Sequence, residues 1–291
     1  MKNKKFVALI LIPIFVHMSI FIIGPIIGGL AISLFEYNPL SSTNHFVGFD
    51  NFVKLAQDEL FWKALTNTLV FVVVTVIFNI ILSLAVAQFI SMFKSNKTRS
   101  FFRMIFFLPA VAPLVASSVV WAKSILPTAT GLMNIILRGM GLTEVNWLGD
   151  PNILMISIVV FTLWADVGYN TILFSAGIDG IPGEFYEAAE LDGANGWQKF
   201  RYITLPLLGR TFTFVTIMTL ISHFQMFAQF TIMAVKNGPQ NSGLVLTSYI
   251  YKMAFEYKDM GYASAISMAL FVIILIVTLV QQRANKVEWE Y

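Results

Sequence analysis

The chain has 291 residues, 57% hydrophobic and only 12% charged, with a mean hydropathy of +0.75 and a formal net charge of +3. A soluble domain carries about a quarter charged residues, so lipid is the main solvent of this chain. With no cysteine, disulfides, thiolate nucleophiles and Cys-based metal sites are excluded. The basic pI does not point to nucleic acid, because Lys and Arg gather at the ends of apolar runs rather than on one soluble face.

From the N-terminus, MKNKK leads into an apolar run at residues 6–34. This run is about twice a signal-peptide core and lacks an A-x-A site, which predicts an uncleaved first span. Further runs lie at 66–92, 104–122, 153–177, 211–235 and 263–282. About 20 residues at 1.5 Å each cross a hydrocarbon core, and each span must be a helix because unpaired backbone groups are too costly in lipid. The expected fold class is all-α integral membrane with six transmembrane helices, one domain over residues 1–291.

Between the first two spans, NPLSSTNHFVGFDNF favours turns and KLAQDELFWKAL predicts a short surface helix. In span two, Asn67, Asn79 and Gln88 read as packing contacts between helices. Ser117 and Ser118 in span three are expected to bond their own helix backbone. GLMNIILRGMGL then predicts a short helix, and NWLGDPN a turn into span four.

Polar side chains inside spans are expensive and mark functional candidates. Asp166 stands about midway along span four with Trp164, Tyr169 and Asn170 nearby, offering hydroxyl partners and flat aromatic faces to a sugar. Equally, Asp166 could pair with a cation across the bundle. In span five, His223, Phe227 and Phe230 share a helix face better than His223, Gln225 and Gln229 do. His223 suits an interhelical hydrogen bond or a place on a solute path. Ser222 beside His223 makes a poor nucleophile and base, since adjacent helical residues point about 100° apart.

A polar island at 178–210 separates spans four and five. Here Asp179 is expected to cap a helix whose early positions include Pro182, with Glu184 and Glu187 near its positive end. Gly193 permits a turn, and a second short helix is expected over 197–203, ending before Pro206. After span five, KNGPQNSG predicts a loop.

With both termini cytoplasmic, the inside segments hold Lys2, Lys4, Lys5, Lys94, Lys97, Arg99, Arg103, Lys199, Arg201, Arg210, Arg283 and Lys286. The other seven, Lys54, Lys63, Lys123, Arg138, Lys236, Lys252 and Lys258, spread over three longer outside segments. This asymmetry predicts a multi-pass protein with both ends inside.

From Glu187 to Pro206 the island reads EAAELDGANGWQKFRYITLP. An EAA triplet, three residues, a Gly, nine residues and I-x-L-P resembles the cytoplasmic loop of permease subunits in ATP-binding-cassette (ABC) importers. VGFDNF, FFLPAVAPLVASSVVW, NWLGDPN, IPGEFYEAAELDGA and YIYKMAFEYKDMGYASA are similar to successive blocks of the carbohydrate-type branch, which includes maltose and glycerol-3-phosphate importers. One departure is KNGP at 236–239, where that branch often has Gly-Gly-Pro.

The resemblance implies a MetI-like ABC permease bundle in a bacterial or archaeal cell (inner) membrane. Glu187, Ala188, Ala189, Leu191, Asp192 and Gly193 would form a coupling helix that docks on a separate ATPase. It also implies a homologous second permease, an ABC ATPase dimer, an extracellular or periplasmic solute-binding protein and a sugar substrate. No cofactor is expected on this chain, and no G-x-x-x-x-G-K-[ST] is present to cradle phosphates. The expected function is sugar or oligosaccharide import by a transport subunit rather than an enzyme. Solute-path candidates are Trp164, Asp166, Tyr169, Asn170, His223 and Phe227. Alternatives are a non-sugar solute such as a polyol phosphate, or an ion-driven secondary transporter, for which only Asp166 and His223 offer intramembrane coupling groups.

Overall fold

Apolar runs with no water to bond their backbones close every N–H onto their own helix, and a computed structural model shows the result for residues 3–41 and 44–284. Lys2 and Lys286, counted in the charge asymmetry, lie outside the described residues. The helices are α1 (Asn3–Met18), α2 (Gly24–Ser33), α3 (Asp50–Gln57), α4 (Glu59–Ser91), α5 (Asn96–Val111), α6 (Leu114–Val120), α7 (Leu132–Gly139) and α8 (Leu154–Asp179). After these come α9 (Gly183–Leu191), α10 (Gly196–Lys199), α11 (Leu205–Leu207), α12 (Gly209–Phe224), α13 (Ala228–Met233), α14 (Leu246–Tyr251) and α15 (Met260–Ala284). One small hairpin joins β1 (Phe35–Glu36) to β2 (His45–Phe46), antiparallel, with Phe35 opposite Phe46.

Among the described residues, five helices are long and apolar enough to cross a membrane: Leu9–Ser33, Glu59–Ser91, Leu154–Asp179, Gly209–Met233 and Met260–Arg283. The pair Asn96–Val111 and Leu114–Ile125, bent by 85°, has the length and composition of a sixth span when taken together. Three expectations change. The second span begins at Glu59, not at residue 66, so the expected surface helix is divided at Asp58 between α3 and α4. The third is no straight rod, because the residue before a proline is driven out of helical geometry; Ala112, before Pro113, is extended (φ −68°, ψ 137°). The fifth breaks between α12 and α13 at Gln225–Phe227, with neither proline nor glycine at the break.

The chain forms two compact units, Met1–Ala64 with Leu246–Ile273, and Leu65–Val245 with Ile274–Tyr291. In the first, Asn51 donates from Nδ2 to the carbonyls of Ser33 (2.9 Å) and Phe35 (3.0 Å). A Cβ on Gly261 would stand 2.0 Å from the Phe35 carbonyl oxygen, so α15 starts in direct backbone contact with β1. Asp58 caps α4 through Leu60 N–H (2.9 Å) and accepts from the hydroxyls of Tyr249 and Tyr262, both at 2.5 Å. Lys54 pairs with Asp259 at 2.9 Å and lies 4.1 Å over the Tyr262 ring.

In the second unit, α5 packs along α8 so closely that a Cβ on Gly168 would fall 1.9 Å from the Phe106 carbonyl oxygen. Asn67 Nδ2 donates to the carbonyls of Asn241 and Leu244, both at 2.9 Å, gathering the loop after α13. In that loop Lys236, Asn237, Gly238, Gln240 and Asn241 all have positive φ. The KNGP departure therefore places Lys236 and Asn237 in left-handed backbone that glycine adopts at no steric cost. Ser118 donates to Leu114 O (2.8 Å), its own helix, as its position in an apolar span predicts.

Burial pushes the Asp58 carboxyl up, but hydrogen bonds from Tyr249, Tyr262, Leu60 and Phe61 together outweigh it and hold the group below its ordinary value of 3.8. Burial, followed by the Asp58 contact, pushes the Tyr249 hydroxyl up. A lowered acid stabilises the fold above its unfolded-state pKa, and that contribution is lost as pH falls through the folded value. Asp58→Asn should therefore cost about 1–3 kcal/mol at pH 7. Thermal midpoints in detergent should show the gap between wild type and Asp58→Asn narrowing only below about pH 4.

Candidate functional site

Three spans each carry a pair of polar residues four apart, and so on one helix face: Thr75 and Asn79 on α4, Asp166 and Asn170 on α8, Thr219 and His223 on α12. They meet in two layers. In the first, His223 Nδ1 lies 2.9 Å from Thr75 Oγ1 and Nε2 lies 3.2 Å from Asp166 Oδ2. In the second, Asn170 Nδ2 donates to Asn79 Oδ1 (2.6 Å) and to Thr219 Oγ1 (2.9 Å). Residue numbers rise from the first layer to the second on α4 and α8 and fall on α12, so α12 runs antiparallel to both.

The hydroxyl of Thr75 donates to its own helix at Phe71 O, 2.6 Å. The Thr75 oxygen and the Asp166 carboxylate thus face the two nitrogens of the imidazole ring, and the carboxylate can only accept. His223 is buried, and Phe71 lies against its ring as well as that of Phe230, with centroids at 6.1 and 4.8 Å. His223 thus bonds to two other spans, through Thr75 and through the Asp166 carboxylate.

Asp166 keeps 33% of its side chain exposed, and that face opens into a cavity of about 300 Å³. Tyr169, Asn170, Ser222 and His223 line it together with Phe107 and Ala110 of α5 and Met218 and Thr219 of α12. Four of the six path candidates, Asp166, Tyr169, Asn170 and His223, therefore share one cavity. Trp164 packs against Trp121 (5.4 Å) and Phe161 (6.1 Å) and is not in the lining. Phe227 sits at the break before α13, also outside it. Thr75 and Thr219 were not anticipated; the signal that would have found them is the repeated four-residue polar spacing in three spans. Among the described residues, no group of three or more His, Cys, Asp or Glu is placed to hold a metal ion.

The polar island forms α9, a tight turn and α10. Gly193 at φ +77° follows the helix, Gly193 N–H donates to Glu190 O (3.1 Å) and Ala194 N–H to Ala189 O (2.9 Å). This pair of bonds closes the helix end and needs a left-handed residue at Gly193. Asn195 then begins α10 with a reciprocal cap, accepting from Gln198 N–H (3.0 Å) while its own N–H donates to Gln198 Oε1 (2.7 Å). Two contacts tie the arms: Tyr186 and Thr204 hydroxyls at 2.9 Å, and Lys199 with Glu190 at 2.7 Å. Lys199 holds the Glu190 carboxyl below its usual range.

Glu187, Ala188, Leu191, Asp192 and Gly193 are exposed, Ala189 is half-buried, and Leu191 reaches 90% exposure. Two expectations are corrected. Asp179 does not cap α9; it is the last residue of α8 and pairs with Arg99 and Arg103, while Pro182 precedes the helix without a side-chain cap. The second island helix does not stop before Pro206. It continues through a π-helical stretch, Phe200–Thr204, into α11, which carries Pro206 among its first residues.

Residues 79–286 match the family described as binding-protein-dependent transport system inner membrane component. The arabinooligosaccharides transport system permease protein AraP of Bacillus subtilis is 33% identical, with 94% of this chain and 86% of that protein aligned. The diacetylchitobiose uptake system permease protein NgcF of Streptomyces coelicolor is 32% identical over 93% of this chain and 79% of that protein. A chain from the crystal structure of a bacterial alginate ABC transporter, in complex with an alginate pentasaccharide-bound periplasmic protein, superposes with a TM-score of 0.86. It is 25% identical, covering 98% of this chain and 95% of that one. The chain belongs to the binding-protein-dependent transport system inner membrane component family. It is a membrane-spanning permease component, and its task is transport rather than catalysis.

Asp166→Asn keeps an acceptor for His223, whereas Asp166→Ala strands a buried donor. The alanine variant should be less stable than the asparagine variant by about 1–3 kcal/mol. Chemical or thermal unfolding of the two in one detergent checks the order.

Proposed function

We propose that this chain is one of two homologous permeases in an ATP-driven importer of an oligosaccharide. A solute-binding protein delivers the sugar from outside, and a dimer of ABC ATPases acts from the cytoplasm. The observation that carries this reading is the outward face of α9, where Glu187, Ala188 and Leu191 stand exposed on a helix braced from behind by Tyr186 and Thr204. A small-residue helix with a protruding leucine suits the groove of a partner protein. Family membership supports docking on a separate ATPase, as does the lack of a phosphate-cradling motif in this chain.

The sugar assignment draws on relatives named for arabinooligosaccharides and diacetylchitobiose. The cavity chemistry agrees with it. Its lining offers a carboxylate, a phenol, an amide and a serine hydroxyl, with no Lys or Arg among the described lining residues. A neutral polyhydroxy solute is welcome there; a polyol phosphate would meet the Asp166 carboxylate without a counter-charge. Asp166, Tyr169, Asn170 and His223 form the wall of the path in this reading, with Trp164 and Phe227 outside the cavity. The whole of 1–291 acts as one permease domain without a cofactor of its own.

The distribution of Lys and Arg supports a cytoplasmic position for α9 and both termini. Single cysteines at Ser95 and Asn195 should be labelled only from inside, and those at Asn44 and Asn241 only from outside. The cysteine-free chain makes the assay clean, and outside labelling at Asn195 would overturn the docking role.

For docking itself, Leu191→Glu or Gly193→Val should weaken ATPase association in membranes about tenfold or more, the scale of an interface hot spot. Pull-down of the ATPase and uptake of radiolabelled oligosaccharide should fall together. Normal values of both in both variants would overturn the assignment.

A further inference from the structure

The cytoplasm-proposed end of α8 holds a carboxylate shared by two arginines. Arg103 Nη2 donates to Asp179 Oδ2 at 2.5 Å, and Arg99 Nη1 donates to Asp179 Oδ1 at 3.2 Å. The rest of the Arg99 guanidinium is committed elsewhere. Its Nη2 donates to Ser91 O (2.8 Å) and its Nε to Phe93 O (2.7 Å), satisfying carbonyls at the end of α4 that have no helical donor. One aspartate thus gathers the ends of α4 and α8 and the first turns of α5.

Only Gly180, Ile181 and Pro182 separate Asp179 from α9. Ile181 is buried, so the link is anchored on its α8 side. On the other side of the link, a cavity of about 610 Å³ separates the island from the helix ends, bordered by Gln88, Asn96, Arg99, Tyr186 and Lys199 among others. The island therefore faces open space on the side of those helix ends. Those helices are themselves locked, since α5 and α8 touch backbone to backbone at Gly168, and together they carry Phe107, Ala110, Asp166 and Tyr169 of the intramembrane cavity.

We propose that Asp179, gripped by Arg99 and Arg103, is the pivot through which movement of α9 reaches α4, α5 and α8 as one body. The three are positioning residues for coupling, and the inference rests on the ATPase-docking role of α9 proposed above. The side chains are 27% exposed for each arginine and 36% for the aspartate. Partly exposed pairs add little to stability, so the value of this one lies in geometry. Without the carboxylate the two guanidinium groups have only like charge between them, and the three helix ends lose their common partner.

The test uses the purified complex with its ATPase, reconstituted in proteoliposomes with sugar-loaded binding protein. Two readouts are taken: sugar imported per ATP hydrolysed, and a crosslink to the ATPase from Glu184→Cys, an exposed α9 position outside the docking residues. Asp179→Asn should assemble and keep the crosslink while import per ATP drops by about fivefold or more. The exchange Asp179→Arg with Arg103→Asp should restore much of that ratio, a recovery that a loss of folding would not show. Should Asp179→Asn fail to assemble, Arg103→Gln, which leaves the Arg99 contact, takes its place with the same expectation. An intact crosslink with unchanged import per ATP overturns the pivot and leaves docking standing. Absence of the crosslink in otherwise wild-type protein overturns docking, and the pivot with it. Failure of both single variants to assemble, with no recovery in the exchange, reduces the clamp to a structural staple and overturns the proposal.

Discussion

Asn170 spends both of its amide hydrogens inside a membrane span on side chains of two other spans, Asn79 and Thr219. That bond pair and the His223 layer one turn away decide how α4, α8 and α12 can sit. Sliding any of these helices by one residue would turn a polar pair toward lipid and strand its partners, a cost far above that of shifting an apolar contact. The cavity follows from this constraint. Once the polar faces of three helices are turned inward, the carboxylate of Asp166 has one side occupied by His223 and the other open, and α5 supplies the remaining wall.

The polar island works by a different principle. Its shape comes from the chain itself: a left-handed glycine closes α9, an asparagine and a glutamine cap α10, and a tyrosine, a threonine and one ion pair hold the arms together. Local self-sufficiency lets the island keep its form while its outer face stays exposed. A surface offered to a partner must be preshaped, since ordering it during binding would weaken the complex.

Much of this was legible in the order of residues, and what was not has physical causes. Span count and the turn at Gly193 follow from local composition, which an apolar run or a single glycine expresses directly. Asp166 and His223 stood out because charge in an apolar run is conspicuous. Thr75 and Thr219 did not, since a threonine in a span reads as bonding its own helix, and both do so while also serving a neighbour. Asp179 looked like a cap because proline follows shortly after; its true partners lie 76 and 80 residues earlier. Asp58 similarly meets tyrosines 191 and 204 residues away, a separation on which periodicity is silent. The corner before Pro113 was hidden by averaging, as hydropathy sums over a bend without noticing it.

That corner changes how the protein meets membranes of different thickness. A straight span adapts to a thin bilayer by tilting as a rod. The pair Asn96–Val111 and Leu114–Ile125, bent by 85°, has no single axis to tilt, and neither arm alone, at 1.5 Å per residue, covers a core of about 30 Å. The bend itself is then one place where a change in lipid chain length can be absorbed. Phe107 and Ala110 on the first arm line the intramembrane cavity, so any flexing at the bend moves one of that cavity's walls.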